Sequence, residues 1–283
     1  MKQNFSLGFT DPLLAEAREG SQIKLYIMSD LEGVAGVVDF ESQTYPAGKY
    51  YEESKHLLTQ EVNASIEGAL LAGATDILVL DGHGSGGINY KELHPAAKVF
   101  LGRPVPCNWL LDETFSAVFL VGFHAMAGIE TGNLNHTYCS RTVANMWLNG
   151  EKIGEIGMEI IMAGYFDVPV VLITGDRAAC EEASSYIPNI EMAVVKEGIN
   201  RTGAICLSKE TARELIKEKA KKALKRRDEI KPYKINGPFE LVTEYVSSDT
   251  ASAVSQRWGV EKIDSKTIKI KADNFLDLLK KKI

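Results

Sequence analysis

The chain has 283 residues, 45% of them apolar and 25% charged, with a mean hydropathy of −0.09 and a formal net charge of −6. That balance excludes a disordered or fibrous chain, and the length admits one large domain or two. No run of about 18 apolar residues occurs, which excludes a membrane-spanning helix.

In the first 22 residues, Asp11, Glu16, Arg18 and Glu19 interrupt any signal-peptide core, so a cytoplasmic protein is expected. Cys107, Cys139, Cys180 and Cys206 lie far apart with no CxxC spacing, which suits reduced thiols better than disulfides or a thiolate zinc site. Residues 10 to 20 read as a short helix, with Thr10 or Asp11 as cap, Pro12 in the first turn and Gly20 as a stop. Residues 24 to 29 form an apolar strand that runs into Ser29-Asp30-Leu31-Glu32-Gly33. Two carboxylates one residue apart at a buried strand's end are costly unless a positive charge stands between them, and a metal ion supplies one.

From Tyr50 to Leu71 the apolar positions Leu57, Leu58, Val62, Ile66, Ala69 and Leu70 recur with a helical period, closed by Gly73. A second buried strand over 77–80 leads into Asp81-Gly82-His83-Gly84, and a third over 117–121 leads into Gly122-Phe123-His124. Residues 141 to 148 read as a strand followed by Asn149-Gly150, a type I′ hairpin signal, and Glu155 opens a helix to about Tyr165. Residues 169 to 174 give a further strand ending at Gly175-Asp176-Arg177, where Asp176 reads as a helix cap.

From about 190 the pattern becomes strand, long charged helix, strand (239–246), helix (249–258), strand (266–271) and terminal helix, punctuated by Pro232 and Gly237-Pro238. The expected class is α/β, a mostly parallel sheet flanked by helices with a smaller α+β second domain. The expected divisions are an N-terminal extension over 1–22, a catalytic unit over 23–189 and the smaller domain over 190–283, with an approximate boundary across which the two units can interleave. Residues 1 to 200 carry 12 Lys and Arg against 26 Asp and Glu, whereas 201 to 283 carry 20 against 12. The basic residues of the second stretch fall largely on one face of the 208–228 helix, opposite Leu215, Ile216, Ala220, Ala223 and Leu224. No aromatic platform or groove-binding motif accompanies them, so a solvated helix face is expected and not nucleic-acid binding.

Three β-runs therefore end in residues able to bind metal: Asp30 with Glu32, then His83, then His124. Parallel strands bind ligands beyond their carboxyl ends, so these side chains should converge on one sheet edge. Oxygen and imidazole donors without thiolate suit catalytic Zn²⁺, Mn²⁺ or Co²⁺, and shared carboxylates suit a pair of ions roughly 3.5–4 Å apart. Spacing alone places His136 in a polar surface loop, with a general acid/base role as the functional reading. Glu155 reads equally as a carboxylate favoured by the helix dipole and as a ligand. Asp81 is a candidate to orient His83, while His56 and His94 read as structural.

The blocks Ser29-Asp30-Leu31-Glu32-Gly33, Asp81-Gly82-His83, Leu93-His94-Pro95, Gly122-Phe123-His124-Ala125, Asn135-His136, Gly154-Glu155-Ile156-Gly157, Ala163-Gly164-Tyr165-Phe166-Asp167-Val168-Pro169 and Gly175-Asp176-Arg177-Ala178-Ala179 occur in order. With them the chain resembles, over roughly 24–275, the bacterial zinc-dependent D-aminopeptidases associated with a dipeptide-transport operon. The resemblance implies two zinc ions held by Asp30, Glu32, His83, His124 and Glu155, with His136 as the catalytic histidine. It implies cleavage of N-terminal D-residues from short peptides such as D-Ala-D-Ala, and a ring-like homodecamer that admits only small substrates. The alternatives are a metallohydrolase of another amide or phosphoester, and a non-catalytic, metal-stabilised assembly protein.

Overall fold

The computed structural model describes residues 22–282, so the helix expected over 10–20 lies outside the described residues. In chain order the strands are β1 (Ile23–Ser29), β2 (Ala74–Asp81), β3 (Ala97–Phe100), β4 (Ala117–Phe123), β5 (Val143–Leu148), β6 (Glu151–Lys152), β7 (Val170–Asp176), β8 (Glu191–Asn200), β9 (Gly203–Cys206), β10 (Phe239–Tyr245), β11 (Val260–Lys262) and β12 (Thr267–Ala272). The helices are α1 (Tyr51–Leu70), α2 (Glu155–Tyr165), α3 (Arg177–Tyr186), α4 (Lys209–Lys225), α5 (Ser248–Val254) and α6 (Phe275–Lys282).

Seven strands form one sheet in the order β3-β2-β1-β4-β7-β8-β9, parallel except for the antiparallel β8–β9 pair. Every residue of β4 and β7 is buried, as expected where helices cover both faces of a parallel sheet. Full burial of side chains such as Phe119 and Leu120 contributes ~1.5–3 kcal/mol each. From β1 the chain winds to β2 and β3 on one side, then returns to β4 on the other. The carboxyl ends of β1 and β4 therefore flank a topological switch point, where a crevice opens in such sheets.

The second sheet is antiparallel, in the order β11-β12-β10-β5-β6. Sheet membership crosses residue 190 in both directions: β8 and β9 extend the large sheet, with α4 packed on β8 and α1, and β5 and β6 join the small one. Strand pairing is non-local, so apolar patterning reports that a strand exists but not which sheet receives it. The Asn149-Gly150 turn connects β5 to β6, with φ of 52° and 87° as a two-residue type I′ loop requires.

On α4, Ala212, Ile216, Ala220, Ala223 and Leu224 are buried, and Ser208 caps the first turn through its bond from the Thr211 N–H. Its basic face is answered by acids: Lys219, Lys222 and Arg226 converge on Glu191, and Lys217 meets Glu67. Among the described residues no helix is long and apolar enough to cross a membrane.

Candidate metal centre

The ends of β1 and β4 approach each other unusually closely. The Asp30 N–H donates to Val121 O at 2.8 Å, and the Gly33 N–H donates to Gly122 O at 2.7 Å. A Cβ on Gly33 would collide with the Phe123 carbonyl, and one on Gly122, which sits at φ +78°, would collide with Asp30 O. Glycine at both positions lets the two loops meet and brings Asp30, Glu32 and His124 into one crevice.

The six residues singled out in the sequence form two adjacent groups, Asp30 with Glu32 and His83, and His124 with His136 and Glu155, each with ligand atoms within 4.8 Å of one another. His83 Nδ1 lies 3.1 Å from Glu32 Oε2 and 3.4 Å from Asp30 Oδ1. His124 Nε2 lies 3.2 Å from Asp30 Oδ2 and 3.3 Å from Glu155 Oε1. Asp30 thus faces both groups. The His136 ring stacks on His124 at 3.9 Å, and its Nε2 is 3.9 Å from Glu155 Oε1.

Each imidazole is tethered through its other nitrogen to a main-chain carbonyl: His83 Nε2 to Thr44 O at 2.8 Å, His124 Nδ1 to Ala125 O at 2.9 Å, and His136 Nδ1 to Leu134 O at 2.9 Å. Donating there leaves the inner nitrogen of each ring with a lone pair turned toward carboxylate oxygens. Lone pairs at such distances repel unless a proton or a cation stands between them, and metal-ligating histidines are oriented in this way.

The titration behaviour has the same origin. Burial opposes ionisation of Asp30, yet the His124 and His83 rings beside it hold its carboxyl well below the usual range. Burial likewise opposes protonation of His83 and His124, but the carboxylates beside them raise both well above the usual imidazole value. His136 moves down instead, through burial and the charge of His124. Asp30 Oδ2 and His124 Nε2 are buried without a hydrogen-bond partner. These orphaned atoms and the nitrogen and oxygen donor set fit a zinc-type ion.

Asp81 does not orient His83. Its carboxylate accepts from the Gly87 and Ile88 N–H groups at 2.8 and 3.2 Å, holding the glycine-rich loop, and Thr44 O takes the role expected of Asp81. His56 and His94 lie outside the centre, His56 against Glu92 and His94 accepting from the Ala96 N–H. Asp176 caps α3 through the Ala179 N–H at 2.8 Å, and its other oxygen accepts from the Asn133 N–H at 2.8 Å, three residues before His136.

Sequence reasoning missed three supports. The Tyr138 N–H donates to Glu155 Oε1 at 2.6 Å, and Glu159 lines the crevice one turn beyond Glu155. Lys196, 1% exposed, donates to Glu32 O at 2.6 Å, Val37 O at 2.5 Å and Asn133 Oδ1 at 2.8 Å, joining the Glu32 loop to the loop of His136. A lysine in an alternating strand carries no sequence signal of such a role. The crevice, of about 540 Å³, is also lined by Arg103, Trp109 and Arg141.

A doubly wound sheet with two His–carboxylate groups in its switch-point crevice defines the class of a metallohydrolase fold. Residues 23–281 match the model of the Peptidase M55 D-aminopeptidase family, and the chain belongs to that family. It is 32% identical over 259 residues to a D-aminopeptidase of Bacillus subtilis (strain 168), covering 90% of this chain and 93% of the relative. It is also similar to the solved structure of the Zn-dependent D-aminopeptidase DppA from Bacillus subtilis, a self-compartmentalizing protease. The TM-score is 0.86 at 31% identity, with 92% of this chain and 95% of that chain covered.

Proposed function

We propose that this protein is a zinc-dependent aminopeptidase that removes N-terminal D-residues from short peptides such as D-Ala-D-Ala. Asp30, Glu32, His83, His124 and Glu155 would hold two zinc ions, and His136 would be the catalytic residue. The observation that carries the reading is the pair of His–carboxylate groups with Asp30 between them, in a chain of the D-aminopeptidase family. Zinc bound there would acidify a water to a pKa of about 7 and polarise the scissile carbonyl, and Mn²⁺ or Co²⁺ would suit the same donors.

The chain's own residues supply positioning and proton transfer. Tyr138 fixes one oxygen of Glu155 through its N–H, and Thr44, Ala125 and Leu134 fix the three rings. With its Nδ1–H committed to Leu134 O, His136 presents the Nε2 lone pair to the crevice. There it accepts a proton from the attacking water and passes it to the leaving amine. The unpaired cysteines accord with a cytoplasmic location, and the self-compartmentalizing relative supports assembly of this chain into an oligomer, for which a homodecamer is our proposal.

The deciding experiment measures amine release by zinc-loaded protein from D-Ala-D-Ala and L-Ala-L-Ala, alongside hydrolysis of a phosphodiester. Turnover of the D-dipeptide is expected. Turnover confined to the L-dipeptide or to the phosphodiester would overturn the reading in favour of another metallohydrolase, and no turnover at all would favour an assembly protein.

A further inference from the structure

Four carboxylates line the crevice, and Glu159 is the one that belongs to neither metal group. It is 8% exposed, and among the described residues its carboxylate has no hydrogen-bond donor and no ion-pair partner. Burial, with the charges of Glu155 and Asp30, pushes it well above the usual carboxylate range. Lys282 of α6 acts the other way, its ammonium seated over the Tyr138 ring and not in an ion pair with the carboxylate. Beside it lies Tyr138, whose buried phenol also lacks a partner. An acid isolated in this way is costly to ionise, and a cation that enters the crevice recovers that cost.

The kind of cation follows from the surroundings. A divalent ion needs several converging ligands, and Glu159 belongs to neither cluster of converging ligand atoms. An ammonium group needs only one charged acceptor and a neutral oxygen or two, because it is compact and carries three N–H donors. In a peptide the α-ammonium nitrogen is two bonds from the scissile carbonyl carbon, so its acceptor must stand beside the metal groups. Glu159 is four residues on from Glu155 in α2, which puts the two Cβ atoms roughly 5–6 Å apart on one helix face.

We propose that Glu159 is the substrate-binding residue that receives the free α-ammonium group of the peptide, restricting the enzyme to unblocked N-termini. This rests on the aminopeptidase reading above, and its test is independent of turnover.

Calorimetric titration of zinc-loaded protein with D-alanine and with N-acetyl-D-alanine compares ligands that differ in the amine and contain no scissile peptide bond between residues. The wild type should bind D-alanine about ten-fold or more tightly than the acetylated ligand, as expected for one charge-assisted bond. Glu159→Gln should lose that preference while keeping its zinc content and its affinity for N-acetyl-D-alanine. Glu159→Leu, which removes the buried acid altogether, should behave in the same way if the Gln variant does not fold. A preference that survives both substitutions, a wild type without preference, or loss of zinc from the variants would overturn the proposal. L-alanine titrated in parallel separates the two readings. An amine preference confined to the L-ligand but dependent on Glu159 would sink the D-specific reading and leave this one standing. A D-amine preference independent of Glu159 would do the reverse.

Discussion

At the β1–β4 switch point the molecule buries three imidazoles, several carboxylates and the Lys196 ammonium, whereas the small sheet keeps its charges at the rim. There Lys271 pairs with Glu240 and Lys269 with Glu261, around an apolar interior of Phe239, Leu241, Ile268, Ile270 and Phe275. A cavity of about 680 Å³ lies beside that sheet, comparable in size with the crevice of about 540 Å³. Yet it is walled by Phe239, Trp258 and lysines such as Lys280, with no histidine among its lining residues. Cavity size therefore does not mark the chemistry. What marks it is charge held in a poorly solvated place, which a fold retains only where something compensates the desolvation.

The largest effects should come from substitutions that separate holding a metal from using it. His124→Ala removes a ring that touches both Asp30 and Glu155, and is expected to lose bound zinc and activity together. His136→Ala leaves Asp30, Glu32, His83, His124 and Glu155 in place. It should keep zinc while turnover falls by roughly 10²–10⁴-fold, the usual contribution of a positioned acid or base. Zinc content by elemental analysis beside steady-state rates reads both variants. Unchanged turnover in His136→Ala would demote that residue to a packing partner of His124.

A smaller but wider effect is expected from Lys196→Met, which keeps the length of the side chain and removes the ammonium. Glu32 O, Val37 O and Asn133 Oδ1 then lose their donor, at roughly 1–3 kcal/mol for each acceptor that water does not reach. Both the Glu32 loop and the His136 loop hang on this one group. The variant should melt earlier in thermal unfolding and also bind zinc less tightly. A lowered melting temperature with unaltered zinc affinity would confine Lys196 to the scaffold.

The same contrast explains what could be read from the sequence. Asp30, Glu32, His83 and His124 were legible because each follows a continuous apolar run, and parallel strands point their carboxyl ends the same way. Glu155 and His136 were not secured by spacing. Glu155 follows the β5–β6 hairpin of the other sheet, and His136 sits in a loop pinned by long-range bonds such as Leu134 N–H to Arg201 O. Lys196 was illegible because its partners stand 63 to 164 residues away, and the expected Asp81–His83 contact gave way to a main-chain carbonyl from Thr44. In the small sheet β10 and β12 were legible one by one but the three-residue β11 was not, and their partner β5, which pairs with β10, comes from the far side of residue 190.

The smallest expected effect lies in that second region and tests the contrast from its other side. Lys271→Ala removes an ion pair with Glu240 whose side chains are 64% and 41% exposed. Solvent and salt screen such a pair, and holding two long side chains in one geometry offsets most of the Coulomb gain. The change in unfolding free energy should stay within about 0.5 kcal/mol, with zinc content and turnover unaltered. Lys196 and Lys271 share a side chain, so the contrast sets a buried ammonium with three acceptors against an exposed one in a single ion pair. A loss of activity in Lys271→Ala would mean that the small sheet communicates with the crevice through more than the packing of its core.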